Sequence, residues 1–303
     1  MIQLKNRTGM KLIKYADRVI QYSFYLLFLL VPLAMKGNTS ELFEFNKMWL
    51  TFGLVIGVAA AWVIKMIVQK ELKIQRTPLD IPILLFVLSQ VLSTVFSWDR
   101  HVSIWGYYSR FNGGLLSILG YVFLYYAFVS NLHLFSSIKR ILKISLVGGL
   151  IVALWGFPSH FGYDPTCLVF RGTLDIGCWT ADFQPKIRIF STLGQPDWLA
   201  AYLAILIPIA LGFAFIRMKK AEEKSKQLFK KIIAYKKGPG IYIALAMLFF
   251  VDLLWTSSRS GFLGTLIPLF VFLGFLAYNQ RKKLKNNYKK FVYKNSPFFV
   301  LAA

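Results

Sequence analysis

The chain has 303 residues, 56% of them hydrophobic and only 16% charged, and its 36 Lys and Arg against 13 Asp and Glu give a net charge of +23. A charged fraction well below the roughly 25% of soluble domains, with a mean hydropathy of +0.54, excludes an ordinary soluble domain. Apolar runs of about 20 residues recur, each long enough to cross a bilayer, so the surplus of base has to be placed loop by loop before it says anything about partners.

Taken in chain order, the apolar segments predict membrane helices over 18–36, 47–68, 79–97, 112–131, 139–157, 196–216, 240–256 and 261–279. The first run, Ile20 to Met35, exceeds a signal-peptide core and no A-x-A-like site follows it, so it reads as a first span. Helices are expected because a lone spanning segment must satisfy its own backbone in lipid, and the dyad alternation of a barrel is absent. After the basic stretch RKKLKNNYKKFVYK, the closing SPFFVLAA begins a new apolar run with Pro297 suited to a first turn. It reads as the first third of a ninth span, the chain then being an N-terminal fragment; a short interfacial tail is the alternative. The expected fold class is an all-α polytopic membrane protein of about eight transmembrane helices plus the start of a ninth, one transmembrane domain over 1–303.

With the N-terminus inside, only Lys36, Lys47, Arg100, Arg110, Arg171, Lys186, Arg188 and Arg259 fall outside, leaving 28 of the 36 bases on inside segments. This is the positive-inside pattern. The basic balance is therefore chiefly a topology signal, with some attraction for anionic membrane lipids, and it does not call for nucleic acid. The outside also takes most of the acids: Glu41, Glu44, Asp99, Asp164, Asp175, Asp182 and Asp197. The expected location is a cytoplasmic (inner) membrane, with the active face external.

Three external stretches are polar enough to build a site. SWDRHVSIWGYYSRFNGG (97–114) carries Arg100 and Arg110 ten residues apart; its Trp and Tyr residues suit an interfacial aromatic belt, which does not account for the arginines. The loop 158–195, between the fifth and sixth helices, holds both cysteines, Cys167 and Cys178. On an oxidising face a disulfide between them is plausible, contributing about 3 kcal/mol to loop order; two free thiols are the alternative. The spacing does not match a zinc site, and neither a metal nor another cofactor is expected.

The third is RIFSTLGQPDWLAAYL, from Arg188 to Leu203, with Gln195 and Pro196, and with Asp197 in the first turn of a helix, where the dipole favours a carboxylate. Beside these lies the hairpin WTSSRSG, with Arg259 at its tip and Asp252 seven residues earlier, a spacing that predicts one helical face. An arginine at a helix end can simply snorkel to headgroups. Four guanidinium groups on one membrane face (Arg100, Arg110, Arg188 and Arg259) suit a membrane-anchored pyrophosphate, because Arg meets phosphate oxygens bidentately and keeps its proton. An intramembrane acid such as Asp252 is a functional candidate by default; its structural alternative is to satisfy a neighbouring arginine.

RIFSTLGQPDWLAAYL, followed some 65 residues later by TSSRSGFLG, resembles the O-antigen ligase and O-antigen polymerase family of bacterial envelopes. The upstream pattern S-x-D-x-x-x-S-x-x-G-x-x-x-R-x-x-G, filled by Ser97, Asp99, Ser103, Gly106, Arg110 and Gly113, is similar to that of polymerase-like members. The resemblance covers roughly 45–280. It implies a membrane glycosyltransferase C type fold and metal-independent, inverting transfer of a glycan. The donor would be a polyprenyl pyrophosphate, such as an undecaprenyl-pyrophosphate-linked glycan, and the acceptor an envelope glycan, lipid or protein. It carries the two key arginines onto Arg188 and Arg259, as groups that bind the pyrophosphate and stabilise its departing charge. It departs at Gln195, where family members often carry Asn. It also implies a general-base histidine in a later external loop, beyond Ala303. Of the three histidines here, His133 faces inside, and His101 and His160 lie outside that motif, so whether this polypeptide is an enzyme by itself stays open. The alternatives are a polyprenyl-linked glycan flippase or other transporter, against which the scarcity of mid-depth charge counts, and a non-catalytic membrane binding protein.

Overall fold

The structure, a computed structural model, describes residues 2–180, 184–224 and 238–295. Among these the regular elements are all helices: α1 (Ile2–Leu30), α2 (Glu44–Gln69), α3 (Asp80–Val95), α4 (Arg100–Trp105), α5 (Leu115–Asn131), α6 (Phe135–Gly156), α7 (Pro165–Arg171), α8 (Pro196–Lys224), α9 (Gly240–Trp255) and α10 (Arg259–Asn295), joined by short 3-10 turns. The predicted start of a ninth span, Ser296–Ala303, lies outside the described residues, as do Asp182 and the side chains of the basic stretches 220–237 and 282–294.

Each of the eight predicted segments falls on a helix. Five helical stretches are long and apolar enough to cross a membrane: Gly9–Leu33, Glu44–Gln69, Phe135–Phe161, Pro196–Lys219 and Arg259–Tyr278. The other three, α3, α5 and α9, are apolar but have 16, 17 and 16 residues. At 1.5 Å per residue they rise about 25 Å, short of a hydrocarbon core of roughly 30 Å. The helix ends differ most from expectation in two places, while α8 runs a shorter way past 216 to Lys224. α1 starts at Ile2 rather than near residue 18, and α10 continues to Asn295 instead of stopping at 279. Neither extension meets a proline, and Lys, Arg, Gln and Leu are good helix formers, so the helix runs on into its basic flank.

Two side-chain cores share α6. In one, Leu199, Leu203, Leu206 and Ala210 of α8 pack with Val152 and Ala153 of α6 and with Phe249 and Leu253 of α9. In the other, Ile20 and Phe24 of α1 pack with Val58 and Trp62 of α2, Leu124 and Ala127 of α5, and Ile141 of α6. Two adjacent glycines let α6 serve both. A Cβ at Gly148 would sit 3.0 Å from the carbonyl oxygen of Phe28, and one at Gly149 would run into Leu206 and lie 3.0 Å from Phe249. Small residues permitting close backbone approach are the usual device of helix packing in lipid. α3 buries no side chain and rests beside α5.

At one end of the bundle the stretch 188–193 ties several helix ends together. The Ile189 amide donates to the Trp255 carbonyl at the end of α9 (3.1 Å). Ser191 Oγ donates to the Val152 carbonyl of α6 (2.6 Å), and Thr192 Oγ1 to that of Pro32 just past α1 (2.8 Å). Lys47 Nζ, near the start of α2, donates to the carbonyls of Thr192 (2.7 Å), Ala34 (2.9 Å) and Phe43 (3.3 Å). Lys47 counted in the sequence only as an external base; here its ammonium is a staple for three carbonyls.

Candidate functional site

The stretches expected to be external lie at this end, and much of their polar content is spent on their own backbone. In 97–114, Ser103 Oγ donates to Ser97 Oγ (2.6 Å), and the Asp99 carboxylate caps α4 by accepting from the Val102 amide (3.0 Å). Gly106 has φ +91°, and a Cβ there would lie 2.6 Å from the Asn112 carbonyl oxygen, so a side chain is excluded twice over. Asp99, Arg110 and Gly113 of the pattern are exposed, and of the two charged side chains Asp99 is taken up by its cap while Arg110 reaches α2. Arg110 lies over the Tyr107 ring at 5.7 Å and pairs with the buried Glu44 at the start of α2 (Nη1 to Oε1, 3.2 Å). Arg100 begins α4, exposed, with no ion pair among the described residues.

WTSSRSG follows the same economy. Thr256, buried, donates its hydroxyl to the Leu253 carbonyl (2.6 Å) and ends α9. Ser257 turns the chain with φ 53°. Ser258 Oγ accepts from the Gly261 amide (3.2 Å) and opens α10. A Cβ at Gly261 would clash with Ala200 Cβ, so this glycine seats the hairpin on α8. Arg259 is what remains: exposed, at the first position of α10, with no hydrogen bond or ion pair among the described residues. Because α9 ends at Trp255 and a new helix starts at Arg259, the seven-residue spacing does not set Asp252 and Arg259 on one helical face.

Arg188 is held against this hairpin. Its Nε donates to the Thr256 carbonyl at 2.9 Å, three residues before Arg259, and its Nη2 donates to Asp197 Oδ1 at 3.2 Å. Both members of that ion pair are about half-exposed (43% and 48%), a setting in which a pair is worth at most about 1 kcal/mol. The bond to Thr256 therefore orients the guanidinium, while the bond to Asp197 is weak enough for a phosphate to displace. Arg188, Gln195 and Asp197 line a cleft of about 200 Å³ with Gln184 and Pro196. Arg100, Arg110 and Arg259 are not among its lining residues. A second, largely apolar cavity of about 370 Å³ lies on the other side of the α8 start, lined by Glu44, Lys47, Trp198 and Tyr202 among others.

Asp252 is fully buried on α9, and neither carboxylate oxygen has a hydrogen-bond partner among the described residues. It does not satisfy an arginine. A buried polar group without a partner costs roughly 1–3 kcal/mol, and more for a charge. Asp252→Leu is therefore expected to raise the unfolding midpoint by an amount equivalent to about 2 kcal/mol, measured in detergent; a lower midpoint would mean that the carboxylate has a structural partner after all.

His160 comes to the site unannounced by any motif. Its ring stacks on Trp255 at 4.3 Å and 10°, directly behind the Arg259 hairpin, with Nδ1 buried and unpaired among the described residues. Its only sequence signal is membership of the external loop. His101 lies beside Trp105 of α4, 6.4 Å between rings.

Cys167 of α7 and Cys178 are joined by a disulfide, with Cα atoms 5.7 Å apart. It closes a subfold knit by Asp164, whose buried carboxylate accepts from Ser159 Oγ (3.1 Å), the Thr166 amide (3.0 Å) and Trp179 Nε1 (2.6 Å). Reducing the disulfide is expected to destabilise this subfold by about 3 kcal/mol, read as faster protease cleavage between 158 and 180; unchanged cleavage would make the bridge dispensable. Among the described residues no three His, Cys, Asp or Glu side chains gather as a metal site. In chemical terms the arrangement offers permanently charged donors, one of them, Arg188, held in place by the Thr256 carbonyl. No family model matches the chain, and no curated protein or solved structure matches it.

Proposed function

We propose that this protein is a membrane glycosyltransferase of the O-antigen ligase and polymerase kind, with eight spans and the 188–197 and 255–261 segments on the external face of a cytoplasmic membrane. It takes a polyprenyl-pyrophosphate-linked glycan as donor and an envelope glycan, lipid or protein as acceptor. The observation that carries this reading is the tie between Arg188 Nε and the Thr256 carbonyl, which brings two arginines from distant parts of the chain to one hairpin. On this reading Arg188 and Arg259 clamp the pyrophosphate and neutralise the charge that builds on it as the glycosidic bond breaks, an effect realised in the transition state.

The test is removal of the gene from its native host, followed by analysis of the lipid-linked glycan. A transferase leaves the donor accumulating on the outer face and the envelope acceptor bare. A flippase leaves the donor on the inner face. A binding protein without chemistry leaves both pools unchanged. Either of the last two outcomes overturns the proposal.

A further inference from the structure

At the opposite end of the bundle lies a second built site. Along α8, Arg217 is twenty residues beyond Asp197, about 30 Å of helical rise, and so at the other membrane surface. There Lys139 and Lys143 at the start of α6 and Arg217 of α8 line a cleft of about 300 Å³ with Tyr242 of α9. Among the described residues its lining contains no carboxylate. Lys139 and Lys143 are four residues apart on one helix face, where like charges repel, and none of the three cations has an ion pair among the described residues. Arg217 is held instead over the Tyr242 ring at 5.4 Å, and Tyr242 stacks on Phe213 at 5.3 Å.

The cleft opens into an apolar groove. Lys139, Phe213 and Ile216 line both, and the groove, about 480 Å³, continues along Leu142, Ile209 and Gly212. A Cβ at Gly212 would meet nothing within 4 Å, so this glycine leaves the groove open rather than allowing a neighbour to approach. Three cations without an ion pair among the described residues, beside a hydrocarbon-lined channel and at the end of helices long and apolar enough to cross a membrane, match an amphiphile with an anionic head and an alkyl tail. Basic pockets between transmembrane helices are known to take such headgroups.

We propose that the ends of α6, α8 and α9 hold one anionic phospholipid, its phosphate on Lys139, Lys143 and Arg217 and one acyl chain in the groove over Gly212. This requires that α6 and α8 cross the membrane, and it is independent of the transferase reading. The full chain, delipidated in detergent, is titrated with phosphatidylglycerol or phosphatidylcholine and examined by native mass spectrometry. The expected result is one phosphatidylglycerol retained at least tenfold more tightly than phosphatidylcholine. Two variants remove the two halves of the site separately. Lys139→Gln/Lys143→Gln/Arg217→Gln is expected to lose the preference for phosphatidylglycerol. Gly212→Leu, which meets open space and improves helix propensity, is expected to weaken phosphatidylglycerol at least tenfold without lowering the thermal midpoint in phosphatidylcholine. Retention by either variant at the wild-type level overturns the proposal. So does displacement of the lipid by millimolar inorganic phosphate, which would make the cleft a site for a free anion.

Discussion

Arg259→Ala is expected to lower glycan transfer by about a hundredfold to a thousandfold, the usual loss on removing one preorganised donor from a developing anion. It is expected to leave the fold intact, because among the described residues this side chain makes no hydrogen bond or ion pair and stands exposed at the first position of α10. Arg259→Lys keeps the charge but loses the planar fork needed for bidentate contact with phosphate, and a loss of tenfold or more is expected there too. Arg188→Ala differs in kind: it also removes the bond to the Thr256 carbonyl and the pair with Asp197, so a fall in thermal midpoint worth about 1 kcal/mol should accompany the lost transfer. The measurement is envelope glycan formed by each variant at matched membrane abundance, alongside its melting curve. Full transfer by Arg259→Lys would remove the bidentate role, and full transfer by Arg259→Ala would remove the residue from the site.

The helices were legible because hydrophobic length is a local property. α2, α6 and α8 sit where their apolar runs place them, and even the short α3 and α9 are recognisable. The ends were less legible. Where the chain leaves the apolar run without Gly or Pro, as α10 does after Tyr278, composition changes but the helix does not. The site was half legible. Charge counting set apart eight bases expected outside, and the family resemblance singled out Arg188 and Arg259 among them. Their positions relative to each other were not legible, since the tie runs from a side chain to the backbone oxygen of Thr256, and a carbonyl has no sequence identity. The roles of Ser97, Asp99, Ser103 and Gly106 were hidden for the converse reason: their spacing looks like a signature of chemistry, yet in the structure they fold the loop. Asp252 was flagged for its depth, but its lack of a partner needed the packed neighbours of α8 and α9. Lys47 and His160 carried no usable pattern, because the staple and the Trp255 stack are made by residues far away in the chain.

Asp164→Ala is expected to have the largest effect on order of any single change in the loop 158–195. The carboxylate is fully buried and accepts three hydrogen bonds, from Ser159, the Thr166 amide and Trp179. Bonds to a charged acceptor are worth roughly 1.5–3 kcal/mol each and do not add fully, so a loss of about 4 kcal/mol from the 158–180 subfold is expected, more than reduction of the disulfide. The consequence should reach the arginines through aromatic contacts. Trp179 meets Phe190 edge-to-face at 5.1 Å and stacks near Phe43 at 6.2 Å, and Phe190 lies two residues after Arg188, next to the Ile189 amide that binds the end of α9. Freed of Asp164, the indole N–H loses its acceptor, and Trp179 no longer fixes Phe190. Hydrogen exchange over 158–195 is the measurement, with donor affinity as its functional counterpart. Asp164→Asn sharpens the test: it retains an oxygen for Ser159 and Thr166 but turns an amide N–H toward Trp179, so the α7 cap should survive while the Trp179 end loosens. If Asp164→Ala exchanges no faster than the wild type, the subfold is held by the disulfide and by packing alone. If exchange accelerates while donor affinity stays unchanged, Arg188 is positioned by its bond to Thr256 without help from the loop, and the site reduces to the α8–α9–α10 corner.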